Sequence, residues 1–339
     1  MKILIVSTSV VPVGGKGYGG IEKLCSDFVK ALVSRGHDIS VAAPKGSLLP
    51  DGAKLIPTVV LPQEQDRDDL ALDLIANQLQ DRLEAFDVIH DFSHGHQVSK
   101  RHPDLKTLSM IWDPIVMKYD KANRNIVALS EWQANRFRRL YDQECKYGGL
   151  MVDTLVYKPG DGERECFLFL GKISGEKGVH RAIKIASDLR VGLDVVGGLI
   201  PSEHNSGYLE SIRKLVEETP NVAFHFNVSE EEKIRFLQNA KAVIYPVQQE
   251  EAHWLVGVES WACGTPTIAL NIGAMAGITS PKLGWVADDD AMIKDLMGAN
   301  WLAWDRDATR EYAVRNYSIE NVLPIYMRLY ERVKSGERW

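Results

Sequence analysis

The sequence predicts two doubly wound parallel α/β domains in succession. Short β-branched runs alternate with longer amphipathic runs over nearly the whole chain, the rhythm of a parallel sheet with crossover helices. The rhythm breaks once, around Lys158-Pro159-Gly160-Asp161-Gly162, which is linker chemistry, and then restarts. The 339 residues suffice for two domains of ordinary size. The first half therefore spans 1–157 and the second starts at 158.

Each element has its own signal. Ile3 to Val6 reads as a buried strand, and Ile21, Leu24, Phe28 and Leu32 then recur at helical spacing. Asp38 to Ala43 follows through the turn Arg35-Gly36-His37. Asp87 to His90, Leu108 to Ile111 and Ile126 to Leu129 continue the strands, and Ser130 caps a helix over Glu131 to Tyr141. In the second half the strands are Phe167 to Leu170, Leu193 to Val196, Val222 to Phe226, Ala242 to Tyr245 and Thr267 to Leu270. The helices are Val179 to Leu189, Tyr208 to Glu217, Glu230 to Asn239 with Ser229 as cap, and one running through Glu259. The last segment, Ile319 to Val333, is amphipathic.

Composition excludes several classes. A net charge of −6 and a pI near 5.9 argue against a nucleic-acid binder. Cys25, Cys145, Cys166 and Cys263 have no C-x-x-C spacing, so neither a zinc ribbon nor a disulfide framework is indicated, which fits a reducing cytoplasm. The apolar run at residues 3–6 is too short for a signal peptide or a bilayer span, and no other run reaches about 18 apolar residues.

The stretch VPVGGKGYGGIEKL, residues 11–24, holds five glycines, and Gly15-x-Gly17-x-x-Gly20 satisfies a dinucleotide fingerprint. The context does not. Eight residues, Ser7 to Gly14, separate the strand from Gly15, and the second strand ends Val41-Ala42-Ala43-Pro44 without the acid that would hold a ribose. What remains is either a surface loop or a backbone that approaches an anion or sugar, with Gly19-Gly20 opening a helix.

The second half carries stronger signals. In FLFLGKISGEKGVHRAI, residues 167–183, a strand ends at Gly171, and Lys172 and Lys177 follow beside its carboxyl end. That placement suits a diphosphate, although two solvated lysines would read the same way. In QEEAHWLVGVESWACGTPTIAL, residues 249–270, Glu251 and Glu259 are separated by seven residues. One carboxylate just before a helix and one inside it can share a binding place: one accepts two hydrogen bonds from a ribose diol, the other sits beside a sugar ring. His90, His94 and His96 have a spacing that matches no metal site; His94 or His96 is instead a candidate base near an acceptor. Arg136, Arg138 and Arg139 read as a solvated helix face, or as a contact for anionic lipid or an acidic acceptor.

Taken in order, GGIEKLCSDFVKALVSRGHDISVAAP, FDVIHDFS, ALSEWQANRFRR, FLGKISGEKG and ESWACGTPTIA resemble the successive blocks of a family 4 glycosyltransferase, retaining and of the E-x7-E type, with the GT-B fold. The resemblance covers nearly the whole chain. It implies two Rossmann-like domains facing a central cleft: 1–157 on the acceptor side, with the terminal helix 318–339 crossing back onto it, and 158–317 binding a nucleotide-diphosphate sugar. It implies sugar transfer to a hydroxyl of a polysaccharide, glycolipid or small metabolite, with no metal or other cofactor, by a cytoplasmic protein peripheral to the inner face of the membrane. Glu259 is then expected on the ribose hydroxyls and Glu251 near the donor sugar. Lys172 and Lys177 are expected on the diphosphate, with Gly171, Leu255 and Val256 beside it. Backbone around His225, Phe226 and Asn227 borders the base. Gly19 and Gly20 approach the leaving phosphate and the acceptor, and Gly15, Tyr18, His94 and Trp112 line the acceptor or sugar subsite.

Three positions depart from the family pattern. Lys172 stands where arginine is more usual, which removes bidentate clamping. MIWDP puts Trp112 where histidine precedes Asp-Pro, and Ala252-His253-Trp254-Leu255 replaces Pro-Phe-Gly-Leu. The two tryptophans fall on the sugar subsite, where they stack on a sugar, fill space left by a smaller donor such as a pentose, or simply pack. The alternatives to a transferase are an epimerase or phosphorylase of the same fold and a catalytically silent nucleotide-sugar binder.

Overall fold

The computed structural model describes residues 1–15, 19–58, 82–113, 124–199, 206–278, 280–299 and 301–339. Contacts divide the chain into two units, Met1–Met151 with Ile319–Trp339, and Val152–Ser318.

The described part of the first unit holds a parallel sheet of β1 (Lys2–Val6), β2 (Asp38–Ala43), β3 (Ala53–Pro57), β4 (Val88–Asp91), β5 (Thr107–Met110), β6 (Ile126–Ala128) and β7 (Lys146–Tyr147). Their order is β3-β2-β1-β4-β5-β6-β7, so the order reverses direction at β1 and β4. Ile3, Leu4, Ile5 and Val6 are fully buried, as expected for a strand covered on both faces. The helix Gly20–Val33 buries Leu24, Phe28 and Leu32, the residues at helical spacing. Ser130 caps Glu131–Tyr141 by accepting from the Gln133 N–H. The helix Ile319–Lys334 turns Val322, Tyr326, Leu329, Tyr330 and Val333 inward. Tyr326 donates to the Gly149 carbonyl at 2.8 Å, and a Cβ at Gly148 would lie 2.5 Å from its ring.

The second unit holds β8 (Phe167–Lys172), β9 (Leu193–Gly198), β10 (Val222–Phe226), β11 (Val243–Tyr245), β12 (Thr267–Leu270) and β13 (Gly284–Ala287), again all parallel, in the order β10-β9-β8-β11-β12-β13. Its core joins Phe167, Phe169, Val195, Ile244 and Ile268 to Ile183, Ile212 and Ile293 from the helices. Between β8 and β11, neighbours in the sheet but distant in sequence, the order reverses direction, and ligands of such sheets bind at the strands' carboxyl ends there.

Several elements lack a clear sequence signal. β3 is half-exposed at a sheet edge and ends in proline, while β7 and β13 are only two and four residues long. The helix Arg306–Tyr317 buries only Thr309 and Ala313, so it shows no apolar stripe; Asp305 caps it at the Ala308 N–H. The contact division puts residues 152–157 in the second unit rather than the first. Arg310 accounts for this: its guanidinium donates to the carbonyls of Thr154, Tyr157 and Ala262. No described helix is long and apolar enough to cross a membrane.

Candidate functional site

At the carboxyl ends of β8 and β11 two loops are laced together. After β8 comes a single 3-10 turn, Gly175–Lys177, and then Gly178 at φ +76°. A Cβ on Gly178 would lie 2.0 Å from the Pro246 carbonyl oxygen, so only glycine lets the loop lie this close to the chain leaving β11. Gln248 N–H donates to the Glu176 carbonyl at 2.7 Å, and its side-chain amide to the Gly175 carbonyl. On the far side, Gly273 at φ +65° sits where a Cβ would meet the Glu251 backbone at 2.5 Å, and the Ala274 N–H donates to the Glu251 carbonyl at 2.8 Å. Glu251 is thus pinned from both neighbours.

The consequence is a direct contact between two motifs 74 residues apart: Lys177 Nζ lies 2.5 Å from Glu251 Oε1 and 3.2 Å from the Tyr245 hydroxyl. Both partners of the ion pair are mostly buried. Lys172, the last residue of β8, pairs with Glu176 at 2.6 Å, and the carboxyl of Glu176 is held below its ordinary range by that lysine against the upward push of burial. His253 is half-buried near Lys177; desolvation first, and the lysine's charge second, lower its pKa to about 4, so it is neutral at physiological pH.

Glu259 lies inside the helix Leu255–Ala262, with its side chain 3% exposed. Its Oε1 accepts from Lys233 Nζ and from the Tyr157 hydroxyl, each at 2.8 Å. The same helix begins at Trp254 without a side-chain cap and without an acid in its first turn. The N–H groups of Leu255 and Val256 therefore belong to an uncapped positive helix end. Trp254 itself is buried, stacked on Tyr245 at 4.5 Å between ring centroids and 18° between planes, with its edge toward Trp261. Gly257 makes room for it, since a Cβ there would come within 2.6 Å of the indole. The indole is thus a packing element of the second unit, and its Nε1 has no partner among the described residues. Gly171 pairs with Gly197 in the β8–β9 register, where a Cβ on Gly197 would meet the Gly171 carbonyl at 2.2 Å. His225 turns its Nε2 to Asp194 at 2.9 Å, Phe226 lies under the Arg213 guanidinium, and Asn227 takes φ +53° with its N–H on the Gly197 carbonyl.

The residues expected in the first unit lie in the loops of that unit's own sheet. Tyr18, with Gly17 of the fingerprint, lies outside the described residues. Gly14, at φ +67°, is the glycine the loop most requires, because a Cβ would lie 2.2 Å from the Leu48 carbonyl; Gly15 touches only Pro12. A Cβ on Gly19 would come within 2.5 Å of the Glu22 carboxylate, whereas Gly20 faces open space. Glu22, in the first turn of Gly20–Val33, is buried and accepts from Thr8 Oγ1; burial pushes its carboxyl above the ordinary range. That helix end therefore already carries a carboxylate of the chain.

The three histidines do not converge. His90 is fully buried and its Nδ1 meets the Tyr330 hydroxyl at 2.7 Å; desolvation by burial lowers its pKa to about 3. His96 Nε2 faces the Met110 carbonyl, and His94 Nδ1 is sealed without a partner among the described residues. Trp112 is buried on Phe92 and donates to its carbonyl at 2.8 Å, the behaviour of a packing residue. In the basic run, Arg138 is tied to the Cys145 carbonyl, Arg136 lies over Trp132, and Arg139 is exposed. Among the described residues no group of three or more His, Cys, Asp or Glu side chains is arranged to hold a metal ion.

Lys233, Tyr157, His253 and Glu22 had no sequence signal of their own. Lys233 sits in the charged run EEEKIR and reads as solvated, and Tyr157 falls at the domain linker.

Comparison with solved structures defines the fold. Sucrose-phosphate synthase from Thermosynechococcus elongatus superposes with a TM-score of 0.84 at 14% identity, covering 99% of this chain and 100% of that one. A glycosyltransferase of avilamycin A biosynthesis gives 0.76 at 22% identity over 100% of both chains. Anabaena HepE, solved with UDP and glucose, gives 0.76 at 16% identity, covering 99% and 100%. The chain therefore has the two-domain, Rossmann-like GT-B fold.

Residues 158–299, which hold Lys172, Lys177, Lys233, Glu251 and Glu259, match the family model of glycosyl transferases group 1. The D-inositol 3-phosphate glycosyltransferase of Acidothermus cellulolyticus is 28% identical over 37% of this chain, a match that spans 32% of that relative's length.

Proposed function

We propose that the protein is a retaining, metal-independent glycosyltransferase of family 4, which moves a sugar from a nucleotide-diphosphate sugar to a hydroxyl acceptor. The observation that carries this reading is the Lys177–Glu251 contact, which joins the basic loop after β8 to the acidic signature after β11 at the carboxyl ends of neighbouring strands. UDP is the first nucleotide to test, since HepE was solved with it, and GDP the second.

The chemistry follows from where charge develops. Cleavage of the C1–O bond leaves its electron pair on the diphosphate and positive charge on the sugar ring. Lys177, Lys172 and the N–H groups of Leu255 and Val256 stabilise the diphosphate. Glu251 faces the ring charge and, by pairing with Lys177, keeps the ammonium oriented before the donor arrives. The acceptor oxygen attacks from the face the diphosphate leaves, and its proton passes to the departing phosphate oxygen. Glu259 accepts from the ribose hydroxyls. Gly15, His94 and the Gly19-Gly20 turn are the first unit's candidates for acceptor binding, and the protein works in the cytoplasm, beside the membrane where the acceptor is a glycolipid. The transferred sugar is a hexose or a pentose; Trp112 and Trp254, packed on Phe92 and Tyr245 within their own units, carry no preference between them.

The test is a thermal-shift screen of UDP, GDP and ADP with their hexose and pentose conjugates, followed by product or hydrolysis assays on those that bind. A rise in Tm with one nucleotide, a larger rise with its sugar, and donor turnover support the proposal. Binding without turnover would identify a silent homologue, and no shift with any nucleotide would refute the reading.

A further inference from the structure

The group around Glu259 is more elaborate than the proposed ribose contact requires. Two donors, Lys233 Nζ and the Tyr157 hydroxyl, converge on one oxygen, Oε1, each at 2.8 Å; Glu230 Oε1 is the more distant acceptor for that hydroxyl, at 3.1 Å, so its single proton goes to Glu259. Among the described residues Oε2 takes no hydrogen bond. The ammonium also lies 5.1 Å from the Tyr157 ring centroid, which fixes the two donors relative to each other.

Both donors are themselves held. The Tyr157 carbonyl and the Ala262 carbonyl, at the end of the helix that bears Glu259, accept from the same Arg310 nitrogen. The linker beyond Tyr157 is stitched to the helix Glu230–Asn239 by Gln238 Nε2 on the Lys158 carbonyl at 2.8 Å, and Gly160 leaves room for that side chain. The helix that carries Lys233 starts in a capping box, Ser229 with Glu232. Four segments of chain thus determine where one carboxylate oxygen points.

We propose that Lys233 and Tyr157 are positioning residues that lock Glu259 through Oε1, so that Oε2 alone reads the ribose diol. A carboxylate in a buried helix turns about its χ angles and costs free energy unless it is paired. The pair on Oε1 removes both problems and leaves one oriented acceptor. The inference rests on the reading of Glu259 as the ribose ligand.

The experiment is calorimetric titration of UDP and 2′,3′-dideoxy-UDP into the full chain, with GDP and its dideoxy form in parallel, for wild type, Lys233→Met, Lys233→Arg and Tyr157→Phe. The wild type is expected to prefer the ribonucleotide by at least about tenfold, the value of one charge-assisted hydrogen bond. In Lys233→Met the preference falls to about threefold or less while the dideoxy affinity is unchanged, and Lys233→Arg restores most of it. A merely structural lysine would weaken both nucleotides by the same factor and leave the ratio intact, which overturns the inference. Should Lys233→Met fail to fold, Tyr157→Phe keeps the ring, removes the second donor and must lower the same ratio; an unchanged ratio there again overturns it. A wild type that does not discriminate between the two nucleotides overturns the ribose reading beneath it as well.

Discussion

A Gly178→Ala substitution separates the two loops that bring Lys177 to Glu251. The native φ of +76° lies in the left-handed region, where a Cβ costs roughly 1–2 kcal/mol. The added Cβ would stand 2.0 Å from the Pro246 carbonyl oxygen, a distance backbone atoms do not tolerate below 3.0 Å, so the loop must retreat by at least the difference of 1.0 Å. Retreat breaks the Gln248–Glu176 backbone bond and draws Lys177 from Glu251, adding about 1 kcal/mol for each bond lost. The sum is about 3–4 kcal/mol, or roughly 6–16 °C in Tm for a unit of this size. A displacement of 1 Å in a positioning group costs on the order of 10²-fold in rate. The assay is thermal unfolding with and without nucleotide, together with kcat/KM for donor turnover. Gly175→Ala, in the same loop but with open space where its Cβ would go, is the control and should be nearly neutral. If Gly178→Ala matched that control in both Tm and kcat/KM, the close approach of the loops would not be what sets the site.

Lys177→Ala should lower kcat by about 10²–10³ with a smaller change in donor KM, as expected for a group that stabilises the leaving diphosphate; an unchanged kcat refutes that role. Glu259→Gln should weaken UDP binding by about tenfold to a hundredfold in a direct titration, and equal affinity would remove Glu259 from the nucleotide site. His90, with a folded pKa of about 3 against an ordinary 6.5, stays neutral in the fold while the unfolded chain takes up a proton as pH falls below 6.5. Its contribution to stability is therefore lost on acidification, at about 1.4 kcal/mol per pH unit between 6.5 and 3. The buried carboxyls of Glu22 and Asp91, raised by burial, act with the opposite sign. The share of His90 is thus read as the difference in urea stability between wild type and His90→Gln at pH 6.5 and 5, about 2 kcal/mol, and parallel curves would contradict the assignment.

Local chemistry made much of this protein legible before its structure. Short continuous apolar runs marked the principal strands and period-3.6 patterning the helices, because a strand buried on both faces is apolar throughout and a helix packed on the sheet is apolar along one stripe. Ser130 and Ser229 announced helix starts because the capping hydrogen bond closes within three residues. Elements without such a signature stayed hidden: β13 is short, and Arg306–Tyr317 has no apolar stripe. The candidate site was legible as a set of residue types, with Lys172 at a strand end, Lys177 and Glu251 in the loops that follow strands, and Glu259 on a helix.

What the sequence by itself determined was therefore the succession of elements and the chemical identity of the groups at their ends, both set by neighbours a few positions away. Partnership was decided only by tertiary structure. Lys177 meets Glu251 across 74 residues, through strand order and glycines that admit a neighbouring backbone, and Tyr157 meets Glu259 across 102, where Arg310 ties the Tyr157 carbonyl to the end of the helix that bears Glu259. Trp112 and Trp254 were open to stacking or packing until the fold supplied Phe92 and Tyr245 as their partners. The physical reason is that a side chain's role is fixed by the atoms within about 4 Å of it, and at these sites most of those atoms come from distant parts of the chain.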